Sequence, residues 1–283
     1  MNASELTFGI EIETTISNTT LSRENMRVGD YHRGLQVPYL PQGWTAERDS
    51  SLRTPAGHTA CEIVSPILKG EEGLRQVIEV LRILNAKGHN VNDTRGVHVH
   101  VFFDPNWCAL KLATLIGIVS YLEKGIYATS GTKKRERGSY CGGVRKHENA
   151  NKAKNAMDRN RYHLLNITNL ANGTRPTVEF RAFSGSLNAT KIIGWIQIAL
   201  GIVERALDSK RLPTWEPKPV SGGWKKDGDG QSEVERILGF LKWGNGYRRT
   251  NAGKQYGWVS DIISQKEIKT ELRRLAKKYD NET

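Results

Sequence analysis

The sequence predicts an α+β domain: a curved, mainly antiparallel sheet with helices on its apolar face, followed by a small helical C-terminal appendage. Three observations carry this. Residues 8–13, 61–64, 96–103 and 177–183 read as strands, and three of these runs alternate apolar with polar side chains. Between them lie stretches with apolar residues at helical spacing. The resulting order, strand–strand–helix–strand–helix–hairpin–helix, is not a regular βαβ series, which favours antiparallel pairing with helices on one side.

The first strand is expected over residues 6–16. Ile10 and Ile12 share one face and Glu11 and Glu13 the other, because side chains two apart on a strand point the same way. A polar, turn-rich stretch follows to Trp44. A second strand region covers residues 47–52 and 59–64 and stops at Pro66. Residues 71–87 form a helix with Leu74, Val77, Ile78, Leu81 and Leu84 on one stripe and Gly88 as C-cap. The strand over 96–103 sets Val97, Val99 and Val101 against His98 and His100. Residues 109–128 make a second, more apolar helix. The segment 129–161 carries ten Lys/Arg against three Asp/Glu and few apolar residues, so it reads as a long, mobile basic loop that orders on binding. Residues 163–170 and 177–184 pair as a hairpin through 171–174, with Val178 and Phe180 opposite Glu179 and Arg181. Residues 188–207 form a third helix.

The composition changes after residue 208. Pro213, Pro217, Pro219, Gly222 and Gly223 mark a linker, and helices are expected over 232–243 and 260–278. This divides the chain into a domain over residues 1–208 and a basic extension over 209–283. In the extension, Trp215, Trp224, Trp243, Tyr247, Tyr256 and Trp258 are interleaved with Lys225, Lys226, Lys242, Arg248, Arg249 and Lys254. Such a pattern can stack on bases; packing of the tryptophans into a small core is the favoured reading.

Bulk properties exclude several classes. At 283 residues and 37% apolar content the chain can bury one large core. No apolar run approaches about 20 residues, so no transmembrane helix is expected. The first residues lack a basic region and an apolar stretch, so no secretory signal is seen. Cys61, Cys108 and Cys141 are too few and scattered for a disulfide framework or zinc knuckle. A reducing cytoplasm is the expected compartment. The net charge of +12 implies an anionic partner or a solvated basic surface.

The polar face of the sheet is the chemically informative part. Glu11, Glu13, His98, His100, Glu179 and Arg181 all lie within strand-like sequence. Clustered charge on a sheet is costly unless compensated, and divalent ions compensate carboxylates well. Glu11 and Glu13 lie about 7 Å apart by strand rise, so each can face a different ion. Glu62 and Asp49, on neighbouring elements, complete one sphere; imidazole and Glu179 complete the other. Arg181 offers a planar donor fork to a phosphate oxygen. Singly, each piece has an ordinary explanation: a solvated Glu-x-Glu face, an incidental His-x-His, a cross-strand ion pair. Together they suit two metal ions and a nucleoside triphosphate. No Ser-His-Asp arrangement and no phosphate-loop fingerprint is present, and Cys141 has no assigned base.

The segments Phe8-Gly9-Ile10-Glu11-Ile12-Glu13, Cys61-Glu62-Ile63-Val64-Ser65-Pro66, Gly96-Val97-His98-Val99-His100 and Val178-Glu179-Phe180-Arg181-Ala182-Phe183-Ser184-Gly185 resemble, in this order, the amidoligase family. That family is similar in fold to glutamine synthetase and glutamate–cysteine ligase. The resemblance covers roughly residues 6–205. It implies ATP-dependent joining of a carboxylate to an amine through an acyl-phosphate. It implies that Glu13 and Glu62 hold one Mg²⁺ and that Glu11, His98 and Glu179 hold a second, with Mn²⁺ as the alternative metal. It further implies that His100 lies near the nucleotide phosphates and Arg181 contacts the γ-phosphate. Asp49 looks like the family's Asp-x-Ser segment, adding a carboxylate or orienting the amine. Arg161 looks like the family's Arg-Tyr segment and would neutralise phosphate; Asn166 is a looser match. On this reading the segment 129–161 is a lid, with Lys133, Lys134, Arg135 and Arg137 facing anionic groups.

The leading expectation is therefore an ATP- and Mg²⁺-dependent carboxylate–amine ligase. Its substrates are unread: a peptide, a protein side chain, a cell-wall fragment or a modified nucleotide each fit, and the charge favours an acidic or nucleic-acid-linked one. The second reading is a nucleic-acid-binding protein on a degenerate ligase fold, against which the intact polar set argues. A third, a metal-dependent hydrolase using His98 and His100, lacks the further His and Asp ligands such a site needs.

Overall fold

The computed structural model describes residues 1–49, 52, 54–92, 95–107, 109–210, 229–243, 255–257 and 260–283. The elements run β1 (Thr7–Ser17), α1 (Asn18–Arg23), β2 (Leu35–Gln36), β3 (Thr45–Glu47), β4 (His58–Val64), β5 (Leu68–Lys69), α2 (Gly70–Ala86), β6 (Gly96–Phe102) and α3 (Ala109–Ala128). They continue with α4 (Lys134–Arg137), α5 (Ala150–Met157), β7 (Leu165–Asn166), α6 (Thr168–Ala171), β8 (Thr177–Ser184), α7 (Ala189–Asp208), α8 (Gly230–Phe240) and α9 (Gln265–Asn281). Short 3₁₀ turns occupy Ala3–Glu5 and Ser139–Cys141.

Eight strands form one sheet in the order β2-β3-β4-β1-β6-β8-β7, with β5 beside the start of β1. Every ladder is antiparallel, as the alternation predicts. Where β4 ends, Ser65 takes over its bonds to β1: its N–H donates to Ile10 O at 3.0 Å, and its hydroxyl accepts from Ile10 N at 2.9 Å.

The apolar face is dry. Ile10, Ile12, Ile63, Val97, Val99, Val178 and Phe180 are fully buried beneath a helical layer. α7 packs on β6 and against α2, α3 crosses β8, and α2 lies against β5. Phe183 stacks on Trp195 of α7 with centroids 5.1 Å apart, and the Trp195 indole donates to Thr129 O at 2.9 Å. α8 and α9 pack on α3 and α7, so Ile237, Leu238, Leu272 and Leu275 join the same core. α9 starts with a capping box in which Ser264 and Glu267 satisfy each other's backbone N–H.

Four expectations change. Residues 47–52 are not one strand: β3 ends at Glu47, and the chain turns at Asp49, whose carbonyl accepts from Leu52 N at 3.4 Å. Asp and Ser favour such a turn over a ladder. The hairpin arm over 163–170 shrinks to Leu165–Asn166, because the Asn166 side chain accepts from Thr168 N at 2.9 Å and starts α6 there. The segment 129–161 is not a bare loop. It contains α4 and α5 and buries Arg135, Cys141, Val144, Ala153 and Met157. Two of the cations expected to face a ligand's anionic groups bond residues after α9 instead: Lys133 bonds Glu282, and Arg137 donates to Thr283 O at 3.2 Å.

Of the aromatic and basic residues picked out in the extension, Trp243 is buried, and its indole donates to Tyr256 O at 2.6 Å. Trp215, Trp224, Tyr247, Trp258, Lys225, Lys226, Arg248, Arg249, Lys254 and the linker prolines and glycines lie outside the described residues, as does Cys108. No described helix is long and apolar enough to cross a membrane.

Candidate active site

The sheet register writes the site as rows across the strands. One row runs Glu47–Glu62–Glu13 over β3, β4 and β1. The next pairs Val64 with Glu11 and Glu11 with His98. A third runs Gly9–His100–Glu179–Asn166 over β1, β6, β8 and β7. Between Val97 and Val99 the β6–β8 register shifts by one residue. This bulge lets Phe180 and Phe183, three apart, both face the helices while Glu179 and Arg181 stay on the polar face.

His98 sits at the centre. Its Nδ1 is 3.2 Å from Glu11 Oε2, 3.3 Å from Glu179 Oε1 and 3.5 Å from Glu62 Oε1, and its Nε2 is 3.5 Å from Glu13 Oε1. His100 Nε2 is 3.1 Å from Glu11 Oε1 and 4.0 Å from Glu179 Oε1. Neither Nε2 makes an aligned hydrogen bond, although both are buried. Buried polar atoms are normally satisfied, so two buried imidazole nitrogens without an aligned hydrogen bond, facing carboxylates, are chemically suited to ligate a cation.

Three groups of ligand atoms each lie within 4.8 Å of one another: Glu11, His100 and Glu179; Glu11, Glu62 and His98; Glu13, Asp49 and Glu62. The five metal-ligand candidates and Asp49 thus converge. His100 closes the group with Glu11 and Glu179, and His98, with its Nδ1 3.3 Å from Glu179 Oε1, lies between both ends.

Of the remaining candidates, Arg181 and Asn166 hold Glu179 in place. Arg181 Nη1 donates to Glu179 Oε1 at 2.5 Å, and its Nε reaches Tyr140 O at 3.5 Å. Asn166 Nδ2 donates to Glu179 Oε2 at 2.6 Å, and Gly96 N donates to Glu13 Oε2 at 2.5 Å. Arg161 donates to the Tyr31 hydroxyl and lines the cavity above the carboxylates; its buried Nε has no partner.

Charge and burial compete throughout. Burial pushes Glu62 up to about 8, and the nearby Glu11 carboxylate adds to this. Burial acts against ionised Glu11 as well, but His100 and His98 hold it well below the usual range. Burial and Arg181 oppose the charged form of His98, yet bonds to Glu11 and Glu62 and the charge of Glu179 outweigh them and raise it to about 9. Glu179 is likewise buried, and Arg181, His100 and His98 bring it below its ordinary value.

Two cavities open on this face. A polar one of about 280 Å³ is lined by Glu11, Glu62, His100, Glu179, Arg161 and Arg175, among others. A more apolar one of about 370 Å³ is walled by Phe8, Gly9, Val64, Pro66, Phe102 and Pro176. Cys141 has no part in either: its thiol donates to Arg135 O at 2.8 Å, and burial raises it.

Sequence reasoning missed Glu47 and Arg175, and it took Arg135 for a lid cation where the structure buries it. Glu47 is buried beside Glu62 and raised by burial and by Glu11. Glu47 falls within the strand region expected over 47–52, and only its pairing with Glu62 across β3 and β4 sets it apart. Arg135 is buried over Gly96 and donates to Arg181 O; nothing in a basic run separates it from its solvated neighbours. Arg175 sits in a loop with no periodicity.

Among curated proteins none matches this chain in sequence. Among solved structures it is similar to the ligase PafA, solved in complex with the prokaryotic ubiquitin-like protein Pup, at 9% identity and a TM-score of 0.44, over 98% of this chain and 64% of that one. It is also similar to a bifunctional glutathione synthetase from Pasteurella multocida, at 10% identity and a TM-score of 0.39, over 97% of this chain and 46% of that one. The chain therefore spans less than two thirds of either protein. The family model described as "Putative amidoligase enzyme" matches residues 4–157 and 143–203, which contain every row of the site. On that match the chain belongs to the amidoligase family.

Proposed function

We propose that the protein is an ATP- and Mg²⁺-dependent ligase that joins a carboxylate to an amine through an acyl-phosphate. The observation that carries this reading is the set of carboxylate and imidazole rows on one sheet face, with both His Nε2 atoms orphaned and arginines at the edge. The carboxylates are the oxygen donors that Mg²⁺ and Mn²⁺ take, and the imidazoles among them favour a transition ion such as Mn²⁺ over Mg²⁺. Glu13, Glu62 and Asp49 would hold one ion; Glu11 and Glu179, with His98 and His100, would hold the other. Bound there, the ions would supply charge neutralisation at the transferring phosphoryl group.

The chain's own groups divide the remaining work. Arg181 and Arg161 face phosphate oxygens with permanently charged donor forks. The apolar cavity beside Gly9 and Phe102 accepts the nucleoside, leaving the phosphates over Glu11 and His100. A substrate carboxylate oxygen attacks the γ-phosphorus and ADP leaves; the amine then attacks the acyl carbon, phosphate leaves, and the ammonium proton is lost to a base. Asp49, at the Glu13 end of the rows, would orient that amine as the alternative to holding the ion. The substrates are a carboxylate and an amine, and the +12 charge favours an acidic one.

The test is ADP release and amide formation with Mg²⁺ATP and pooled carboxylates and amines. Turnover lost in Glu13→Gln and Glu179→Gln with the fold retained is the expected result. Full activity in both variants would sink the two-metal site. Salt-sensitive nucleic-acid binding without ADP release would favour the binding-protein reading.

A further inference from the structure

We propose that Arg175 binds the phosphate chain of the nucleotide where it passes from the nucleoside cavity to the carboxylate rows. This rests on the ligase reading above. Three residues line both cavities: Glu11, His100 and Arg175. Glu11 and His100 form the shared floor on β1 and β6. Arg175 comes from the loop between α6 and β8. A ligand with its base in one cavity and its phosphates in the other must pass this junction.

The loop holds Arg175 there by its backbone. Asn169 O accepts from Thr174 N at 3.0 Å and Arg175 N at 3.4 Å, and Arg175 O accepts from Thr177 N at 2.9 Å, at the start of β8. Gly173 takes a φ of +66° to close the turn, a conformation that suits a residue without Cβ. The side chain is exposed. The chemistry matches the place. Carboxylates and imidazoles on the floor hold cations, so the opposite side of a triphosphate needs a cation from the protein. Guanidinium supplies it with paired donors and without needing a proton.

The test is calorimetric titration of the full chain in Mg²⁺ with ATP and, separately, with adenosine. Arg175→Ala is expected to weaken ATP by about tenfold, to leave adenosine unchanged and to keep the thermal midpoint, since the side chain is exposed. Arg175→Lys is expected to recover part of the ATP affinity, and the salt dependence of ATP binding should be shallower in Arg175→Ala. Equal ATP affinity in wild type and Arg175→Ala overturns the assignment while leaving the ligase reading intact. Equal weakening of ATP and adenosine also overturns it, because Arg175 would then shape the base cavity. No ATP binding by wild type overturns the ligase reading and this inference with it.

Discussion

Glu62 lies buried between Glu13 and Glu47 in one cross-strand row, and its replacement by Gln is expected to raise stability when no divalent metal is present. Like charges directly opposite one another are destabilising. A carboxyl moved from 4.5 to about 8 costs the native state about 3 kcal/mol at pH 7. Gln keeps the shape but loses the contact with His98 Nδ1 at 3.5 Å, an offset of about 1 kcal/mol. The net gain is about 2 kcal/mol, or about 4 °C in a chain of this size. Metal reverses the comparison. An ion at one hundred times its Kd contributes about 2.7 kcal/mol, or about 5 °C. The variant loses this for the ion shared by Glu13, Asp49 and Glu62. Differential scanning calorimetry at pH 7, in EDTA and in saturating Mg²⁺, reads both arms. A variant less stable than wild type in EDTA, with an undiminished Mg²⁺ shift, refutes the reasoning.

Four further outcomes are expected. In EDTA the thermal midpoint falls from pH 5 to pH 9. Glu62 is raised from 4.5 to about 8 and His98 from 6.5 to about 9, so the stability each adds is complete below its lower value and gone above its upper one. Mg²⁺ affinity rises over the same window, because both groups must release protons to bind it; calorimetry in buffers of different ionisation enthalpy detects that release. Arg181→Lys keeps the charge but not the fork that joins Glu179 and Tyr140, and amide formation is expected to drop by about a hundredfold with unfolding unchanged. Trp195→Ala removes the ring stacked on Phe183 and the bond to Thr129, and urea unfolding should report a loss of about 3–5 kcal/mol.

The sheet was legible where one strand carries both an apolar and a polar face. In β1, β6 and β8 the alternation gave the face of every charged residue, and hence the meeting of Glu11, Glu13, His98, His100 and Glu179. What alternation cannot show is anything that breaks its period. The turn at Asp49 ends β3 at Glu47 and takes Asp49 out of the ladder. The bulge in the β6–β8 ladder puts Phe180 and Phe183 on one face although they are an odd number of residues apart. Arg135 was hidden for a different reason. Its burial is set by tertiary packing over Gly96, a residue whose missing side chain leaves room for a guanidinium; a Cβ there would lie 3.0 Å from Arg135 Nη2. Arg175 sits in a loop, where position follows from the backbone turn and not from any repeat.

The two faces of β1 also bear on how the chain finds its fold. A slip of one residue against β4 or β6 would turn Glu11 and Glu13 into the helical layer and Ile10 and Ile12 out of it. Each carboxylate driven into that layer would lack His98, His100 or Gly96 N as partner, at a cost of several kcal/mol. A misaligned sheet is thus disfavoured by the same charges that make the aligned one expensive, so the site also fixes the register of the strands that carry it.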